Sequence, residues 1–323
     1  MQASGQTEMA LRLALKVWDE SADDPEAAML ASEVLSAGVP DWHFKVVRDE
    51  VRNAAYDAAL RRSVRPGMRV LDIGSGTGLL AMMAARAGAT RVFSCEMNPA
   101  VADAAREIVA ANGFADRVEI VAKHSDQLDA NADLGGRVDL IVSEIVSNNM
   151  LTEGVLATME YAVGHLLKPG GQVIPARGGV RIALAFDPNF HNKRMASVAG
   201  FDLSGFNRLA QPSYNIRTTD TRLQLMSDAA ELFEFDFGAA EAERDAHTQR
   251  TLTAHGGPVN CVAQWIHLEM DEAGSYENRP GEPKYSNWDA LGYPLPKRIE
   301  PRAGDGVTVH GSHDLNRVRI WMA

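Results

Sequence analysis

The sequence contains the segment Val70-Leu71-Asp72-Ile73-Gly74-Ser75-Gly76-Thr77-Gly78, a short apolar run that leads into three glycines spaced two residues apart. An apolar run that ends in glycines is typical of a buried parallel strand followed by a tight turn. Glycine adopts positive φ at little cost and allows a ligand to approach the backbone closely. Open parallel sheets bind ligands at the carboxyl ends of their strands, so we predict a cofactor loop at residues 72–78.

Strand and helix patterns alternate around this loop. Apolar runs predict strands at 70–73, 91–95, 118–122 and 138–143, and helical patterns lie at 79–87, 100–111 and 151–167. This alternation predicts an α/β fold, with a parallel, doubly wound, Rossmann-like domain over residues 61–174. Residues 1–60 are predicted to form N-terminal helices, with Asp24 as the N-cap of one that begins at Pro25 and a second helix at about 44–60.

The pattern changes after Pro175. Short β-like runs separated by Gly, Pro and Asn clusters lie at 180–186, 232–237, 251–254, 262–268, 306–310 and 318–321. They predict a second, mostly antiparallel β domain over residues 175–323. The stretch at about 187–212 does not fit a ladder of strands, and we interpret it as an inserted arm.

Composition limits the partners and the compartment. The formal net charge of −11 argues against a nucleic-acid partner, which would require a basic face. The sequence contains no run of 18 apolar residues, so we predict no membrane span. The N-terminus lacks the pattern of a secretory signal. The two cysteines, Cys95 and Cys261, cannot build a disulfide framework, so we expect a reduced, cytoplasmic protein. The histidines and cysteines show no compact spacing for a metal site.

The loop chemistry favours S-adenosyl-L-methionine as the cofactor. The G-x-G-x-G spacing differs from the G-x-G-x-x-G of dinucleotide sites. Asp72 would repel a pyrophosphate but could hold the ammonium group of S-adenosylmethionine through a water molecule. Glu96, at the end of the next strand, can accept hydrogen bonds from ribose hydroxyls, and Ser125 with Asp126 can contact the adenine edge. The Rossmann-like domain over residues 61–174 is therefore predicted to be a class I methyltransferase domain. An NAD-dependent oxidoreductase is the alternative, and the same spacing and Asp72 argue against it.

Two glutamates follow the strand predicted at 138–143. Glu144 ends that strand, and Glu153 lies nine residues later. Two facing carboxylates repel each other unless a cation lies between them, and a guanidinium matches them in shape and charge. Spacing alone favours a plainer explanation, namely a strand-end acid and an acid in the first turn of a helix.

The stretch Ser143-Glu144-Ile145-Val146-Ser147-Asn148-Asn149-Met150-Leu151-Thr152-Glu153-Gly154 resembles the double-glutamate loop of the protein arginine methyltransferases. Three other stretches resemble the same family: the pre-core helix from His43 to Tyr56, the arm motif Gly200-Phe201-Asp202-Leu203-Ser204, and Tyr285-Ser286-Asn287-Trp288 in place of a Thr-His-Trp loop. The resemblance extends over about residues 41 to 322. It implies a C-terminal β-barrel and a head-to-tail homodimer formed by a helical dimerisation arm.

The resemblance also implies residue roles. Glu144 and Glu153 would bind the substrate guanidinium as the catalytic pair, and Trp288 would form a wall of the substrate pocket, with a barrel-core tryptophan as the alternative. The cofactor would contact Arg52 through its carboxylate and His43 at its methionine end. The remaining cofactor-binding positions would be Asp72, Gly74, Gly76, Gly78, Glu96, Ser125 and Asp126.

One departure concerns proton transfer. Asn287 stands where the family has a histidine that pairs with the acid matching Asp49. Asparagine cannot relay a proton at neutral pH, so solvent, a glutamate or another residue must accept it. The tyrosine-rich motif upstream of His43 is also replaced, by Val39-Pro40-Asp41-Trp42.

The substrate is arginine, either free or within a peptide. The sequence shows one catalytic module without an added recruitment domain, and its Ala, Arg and Gly content resembles bacterial coding sequences of high GC content. We therefore expect monomethylation of free L-arginine to Nω-methyl-L-arginine in biosynthesis, with protein arginine as the alternative. A catalytically silent scaffold is disfavoured because Glu144, Glu153 and Arg52 are present.

Overall fold

The computed structural model describes residues 2–21, 23–39, 42–190, 194–282, 286 and 288–322. The chain divides into two compact units. The first comprises Met1–Ile145 and Thr158–Pro175, and the second comprises Val146–Ala157 and Ala176–Ala323. Glu144 therefore belongs to the first unit and Glu153 to the second.

The first unit is built on a five-stranded parallel sheet. Its strands are β1 (Arg69–Ile73), β2 (Arg91–Cys95), β3 (Val118–Val121), β4 (Val138–Ser143) and β5 (Leu167–Ile174). The strand order β3-β2-β1-β4-β5, with every pair parallel, confirms the predicted doubly wound α/β sheet. The central strand β1 and its neighbour β4 are almost wholly buried, as their continuous apolar runs predict.

In the part of the chain that the structure describes, the α-helices are α1 (Gln2–Glu20), α2 (Pro25–Ala37), α3 (Trp42–Val46), α4 (Glu50–Ser63), α5 (Leu79–Arg86), α6 (Pro99–Ala111) and α7 (Val155–His165). The predicted cap of α2 is confirmed, because the Asp24 carboxylate accepts the N–H groups of Glu26 and Ala27, each at 3.1 Å. Among the described residues, none of the helices combines the length and apolar character that a membrane span requires.

Two predicted helices differ from the structure. The helix predicted at about 44–60 is divided into α3 and α4, because Asp49 caps α4 by accepting the Arg52 N–H at 3.0 Å. The helix predicted at 151–167 is shorter, since β5 begins at Leu167. Residues 168–171 form an irregularity within β5, whose register on β4 shifts between Val138 and Leu140.

The second unit is antiparallel. Its larger sheet has the order β10-β6-β13-β15-β9, with β11 added to β6 and β14 added to β13. These strands are β6 (Arg177–Phe186), β9 (Tyr214–Ile216), β10 (Gln224–Leu225), β11 (Ala230–Asp236), β13 (Val259–Asp271), β14 (Gly274–Glu277) and β15 (Ala290–Ile299). A three-stranded sheet contains β12 (Asp245–Thr253), β16 (Gly306–Asp314) and β17 (Val318–Met322). The buried Trp265 indole lies in the core of this unit.

The arm in the second unit has little regular structure. Its described part contains a two-stranded hairpin, β7 (Ser197–Val198) with β8 (Phe201–Asp202), and a 3-10 helix at Ser204–Leu209. The resemblance implied a helical arm, but the described residues of the arm contain no α-helix. The Asp202 carboxylate accepts the Ser204 N–H at 2.9 Å and so forms a turn at the start of the 3-10 helix.

Candidate active site

The glycine-rich loop after β1 is shaped by close packing at two of its three glycines. Gly74, Gly76 and Gly78 have φ values of +85°, +51° and +77°. A Cβ atom at Gly74 would lie 2.8 Å from Ile145 Cγ2, and one at Gly78 would lie 3.0 Å from Val109 Cγ2. Within the described part of the chain, nothing lies within 4 Å of the Cβ position of Gly76. The loop is therefore packed at both ends and leaves space for a ligand at its middle glycine.

Glu96 lies beside this loop at the end of β2. Its Oε2 accepts the Gly76 N–H at 3.2 Å, and its Oε1 accepts the Asn98 N–H at 2.9 Å. The carboxylate is buried and therefore fixed in orientation. Each oxygen retains a further lone pair, so Glu96 can also accept hydrogen bonds from the vicinal hydroxyls of a ribose.

Asp72 is a buried carboxylate one residue before the end of β1. Its Oδ2 accepts a hydrogen bond from Ser94 Oγ at 2.7 Å, and its Oδ1 has no partner among the described residues. Burial raises the pKa of Asp72 to about 7, the Ser94 hydrogen bond opposes this shift, and the negative charge of Glu96 adds to it. A cationic group such as the ammonium of S-adenosylmethionine would stabilise the ionised form.

Like Asp72 Oδ1, two hydroxyl groups near the carboxyl ends of β1 and β4 are buried polar groups without a partner in the described part of the chain. Ser75 Oγ and Ser143 Oγ are buried and have no hydrogen-bond partner among the residues that the structure describes. Buried polar groups are costly unless they are paired. Together with Asp72 Oδ1, they match a polar ligand bound at this edge of the sheet, which fits the predicted cofactor.

Arg52 pairs with Glu144 inside the first unit. Arg52 Nη1 donates to Glu144 Oε2 at 2.8 Å, and the two side chains are only 5% and 15% exposed. Asn53 Oδ1 accepts from Arg52 Nε at 3.3 Å and from Nη2 at 2.9 Å, which fixes the plane of the guanidinium. The resemblance assigns Arg52 to the cofactor carboxylate, and a guanidinium with five N–H donors can hold both groups.

His43 lies on α3, near Glu96. Burial lowers the pKa of His43, and the negative charge of Glu96 partly offsets this effect. The structure thus associates His43 with the carboxylate expected at the cofactor ribose, whereas the resemblance implies the methionine end.

Ser125 and Asp126 begin a 3-10 helix, Ser125–Gln127, after β3. Ser125 is buried, and Asp126 is exposed with its Oδ1 2.6 Å from His124 Nδ1. The sequence reasoning missed this histidine partner, which fixes the orientation of the acid expected at the adenine. It also missed Ser94, although Ser94 lies opposite Asp72 in the β1–β2 register.

Glu153 lies in the segment of the second unit that follows β4. Its side chain is exposed at the surface, and protein atoms surround much of the carboxyl group. Loss of hydration to these atoms raises the pKa of Glu153 to about 7. A carboxylate in such surroundings gains stability from a bound cation.

Trp288 is buried in the second unit. Its ring packs at a steep angle on Tyr276, with centroids 5.7 Å apart, and its carbonyl oxygen accepts from Asn278 Nδ2 at 2.9 Å. This packing agrees with the barrel-core alternative, so the pocket-wall role stays a prediction. Tyr285 and Asn287 lie outside the described residues.

Comparisons with known proteins identify similar chains. The profile of the ribosomal protein L11 methyltransferase family (PrmA) matches residues 57–176. Arginine N(omega)-methyltransferase from Streptomyces achromogenes subsp. streptozoticus is 38% identical over 280 residues, which cover 86% of this chain and 77% of that protein. Protein arginine N-methyltransferase 7 from Oryza sativa subsp. indica is 32% identical over 256 residues, 72% of this chain and 35% of that protein.

Solved structures share the fold. The Trypanosoma brucei PRMT1 enzyme-prozyme heterotetrameric complex with AdoHcy has a TM-score of 0.76 at 24% identity, covering 88% of this chain and 93% of that one. Arabidopsis thaliana protein arginine methyltransferase 10 has a TM-score of 0.71 at 21% identity, covering 85% and 88%. These likenesses confirm the predicted methyltransferase domain followed by a β-barrel domain, and they give no support to the oxidoreductase alternative. With a relative 38% identical over most of both chains, this chain belongs to the S-adenosylmethionine-dependent arginine N-methyltransferase family.

Proposed function

We propose that this protein transfers a methyl group from S-adenosylmethionine to a guanidino nitrogen of arginine, with Glu144 and Glu153 binding the guanidinium. The observation that carries the proposal is the ion pair of Glu144. Glu144 follows β4 at the same edge of the sheet where the glycine-rich loop follows β1. Its carboxylate already accepts a hydrogen bond from a guanidinium, that of Arg52, at 2.8 Å. Its surroundings therefore suit recognition of a second planar cation.

The cofactor supplies an electrophilic methyl group on a sulfonium. We assign its ammonium to Asp72, its carboxylate to Arg52 and its ribose to Glu96. Gly74, Gly76 and Gly78 would allow close approach of the backbone. The other contacts would come from His43, Ser125 and Asp126.

The two glutamates would act by orientation and charge. An arginine guanidinium is protonated at pH 7, and its nitrogen lone pairs are delocalised. The two carboxylates would hold one nitrogen in position and draw positive charge away from it. This nitrogen could then form the new N–C bond while the bond between the methyl group and the cofactor sulfur breaks, which releases S-adenosylhomocysteine. The methylated nitrogen then loses a proton. Glu153, with a pKa of about 7, is suited to accept it in the absence of a histidine at position 287.

We further propose free L-arginine as the substrate and Nω-methyl-L-arginine as the product. The chain spans 77% of the relative named arginine N(omega)-methyltransferase, but only 35–39% of the relatives named protein arginine N-methyltransferase 7. Arginine within a peptide is the alternative substrate.

Product analysis separates the two substrates. The purified protein with S-adenosylmethionine should convert free L-arginine to a product heavier by one methyl group, measured by mass spectrometry. An Arg-Gly-rich peptide offered at the same concentration should react poorly, because the proposed substrate carries free amino and carboxylate groups. Methylation of the peptide alone would contradict the choice of free arginine while leaving guanidino methylation intact.

Charge removal tests the two glutamates. Glu144→Gln and Glu153→Gln should each lower kcat by at least about 100-fold, because each removes a charge that orients and polarises the guanidinium. Both should still bind S-adenosylhomocysteine in calorimetry. Glu272→Gln, in an exposed turn between β13 and β14, is the matched control and should keep full activity. Full turnover by either of the first two variants would exclude that residue from the reaction.

The pKa of Glu153 predicts the pH dependence. Because this carboxyl must be ionised to bind a cation, and its pKa is raised from its ordinary value of 4.5 to about 7, kcat/KM should rise as pH increases through 7. Below that pH, the protonated acid should cost about tenfold in kcat/KM per pH unit. An acid limb with its midpoint near the ordinary glutamate value would contradict the assignment.

We also propose that the arm joins two copies of this chain. It exposes large apolar side chains, including Phe201 (72% exposed) and Leu209 (67% exposed), and patches of this kind mark interaction surfaces. The family resemblance implies the same partner, a second copy.

Light scattering tests the dimer. The wild-type chain should have about twice its mass of 35.0 kDa. The double variant Phe201→Asp, Leu209→Asp should be monomeric, because buried unpaired charges oppose association. Gln211→Asp adds a charge at an exposed polar position of the arm and should remain dimeric. A monomeric wild-type protein would exclude the proposal.

A further inference from the structure

The loop that carries Glu153 contains a residue in a strained backbone conformation. Met150 is fully buried with a φ of +77°, a conformation that side chains other than glycine rarely adopt. Two bonds between backbone groups lie within the loop: the Met150 N–H donates to the Ser147 carbonyl at 2.8 Å, and the Gly154 N–H donates to the Leu151 carbonyl at 3.0 Å. A strained residue of this kind persists when its surroundings fix it.

Within the second unit, Asn149 attaches the loop to the strand β17. Its side-chain Oδ1 accepts the Val318 N–H at 2.8 Å, and its Nδ2 donates to the Val318 carbonyl at 3.0 Å. Val318 is the first residue of β17, and Asn149 is buried. The Asn149 amide therefore pairs with the Val318 backbone as a neighbouring strand would, through one donor and one acceptor. A side chain can replace it only if it also has a donor and an acceptor.

The same amide begins a closed ring of hydrogen bonds. Asn149 Nδ2 also donates to the Tyr293 hydroxyl at 3.2 Å, and that hydroxyl donates to Gln264 Oε1 at 3.2 Å. Gln264 Nε2 then donates to the carbonyl of Asn148 at 2.8 Å, which returns the ring to the loop. We call Asn149, Tyr293 and Gln264 the amide clamp.

The amide clamp is buried and internally satisfied. Gln264 has no exposed surface, and its flanking strand positions belong to the apolar core. Burial raises the pKa of Tyr293 to about 12, so its hydroxyl stays a neutral donor over the working pH range. A fully paired polar network in an apolar region is rigid and specifies one geometry.

A hydroxyl relay connects the clamp to the residue before Glu153. Ser147 Oγ accepts the N–H of Asn149 at 3.2 Å and the N–H of Thr152 at 3.3 Å, and it also accepts from the Thr152 hydroxyl. The backbone on both sides of Met150 is thus held to one side chain, and Ser147 links Asn149 to Thr152.

We propose that the amide clamp is the device that positions Glu153, so that Asn149, Tyr293 and Gln264 are positioning residues for methyl transfer. This inference rests on the proposed role of Glu153. The clamp residues act through the loop, and their effect is on the placement of a carboxylate that must be fixed within a fraction of an ångström to orient the guanidinium.

Two substitutions test the amide clamp. Asn149→Ala removes its attachment to Val318, and Tyr293→Phe removes only the hydroxyl that links Asn149 to Gln264. We expect kcat to fall by about 30-fold in Asn149→Ala and by about fivefold in Tyr293→Phe, because the carboxylate is misplaced. Affinity for S-adenosylhomocysteine, measured by calorimetry, should be unchanged, because the residues proposed to hold it belong to the first unit.

Two readouts separate positioning from a simple loss of folded protein. A loosened loop lets Glu153 move away from the protein atoms that raise its pKa, so the acid limb of the kcat/KM profile should move to lower pH in both variants. Deuterium uptake by the amides of residues 146–153 should increase in both. Loss of folded protein alone would scale the rate without moving the acid limb.

The chain offers matched controls. Asn260 makes the same double amide contact with the backbone of Asp187, with both distances at 2.8 Å. Asn260→Asp should leave deuterium uptake in residues 146–153 unchanged. Tyr161→Phe removes a hydroxyl bond to the Leu128 carbonyl in the first unit and should leave kcat and the acid limb unchanged.

The outcomes are distinct. Unchanged loop exchange and an unmoved acid limb in Tyr293→Phe would overturn the inference, and this variant decides the question if Asn149→Ala does not fold. If the wild-type protein fails to methylate arginine in either form, the proposed function fails, and the exchange measurement still decides whether the clamp holds the loop.

Discussion

The parallel pairing of β1 with β4 is the constraint on which the proposed site depends. In this register Ile73 lies opposite Ser143, so Gly74 and Glu144 leave the sheet side by side at its carboxyl edge. A slip of one residue would turn the side chains of β4 to the opposite face. The close approach of Ile145 to Gly74 depends on the same register, which leaves no room for a side chain at position 74. The loop for the methyl donor and the first guanidinium-binding carboxylate are therefore placed by one pair of strands.

Negative charge is concentrated at this edge, and each carboxylate is held differently. Glu96 is fixed by backbone N–H groups and Glu144 by Arg52, whereas Asp72 has a single serine hydroxyl and a pKa raised to about 7 by burial. Glu153, in the second unit, has a similar pKa for the same cause. Both the cofactor and arginine carry positive charge in the groups assigned to these acids. The electrostatic cost of ionising Asp72 and Glu153 in these surroundings would thus be offset when the two cationic ligands bind.

Local patterns predicted much of the first unit. Its strands are continuous apolar runs, and the cap of α2 involves only the four consecutive residues 24–27. The strand β15 was not predicted, since Pro294 and Pro296 lack an N–H and argue against a central strand. The sheet accommodates them through an irregular register between Val259 and Cys261. The pairing of Arg52 with Glu144 and that of Asn149 with Val318 join residues 92 and 169 positions apart. Periodicity carries no information on such contacts, so the sequence predicted the glutamates but neither the partner of Glu144 nor the clamp behind Glu153.

The most direct test of the account is a crystal structure of the protein with S-adenosylhomocysteine and L-arginine. We expect the arginine guanidinium to donate hydrogen bonds of about 2.7–2.9 Å to the carboxylates of both Glu144 and Glu153. We also expect the cofactor ribose to lie on Glu96 and one guanidino nitrogen to face the cofactor sulfur. An arginine bound away from either glutamate, or held by Glu144 alone with Glu153 turned to solvent, would contradict the central claim.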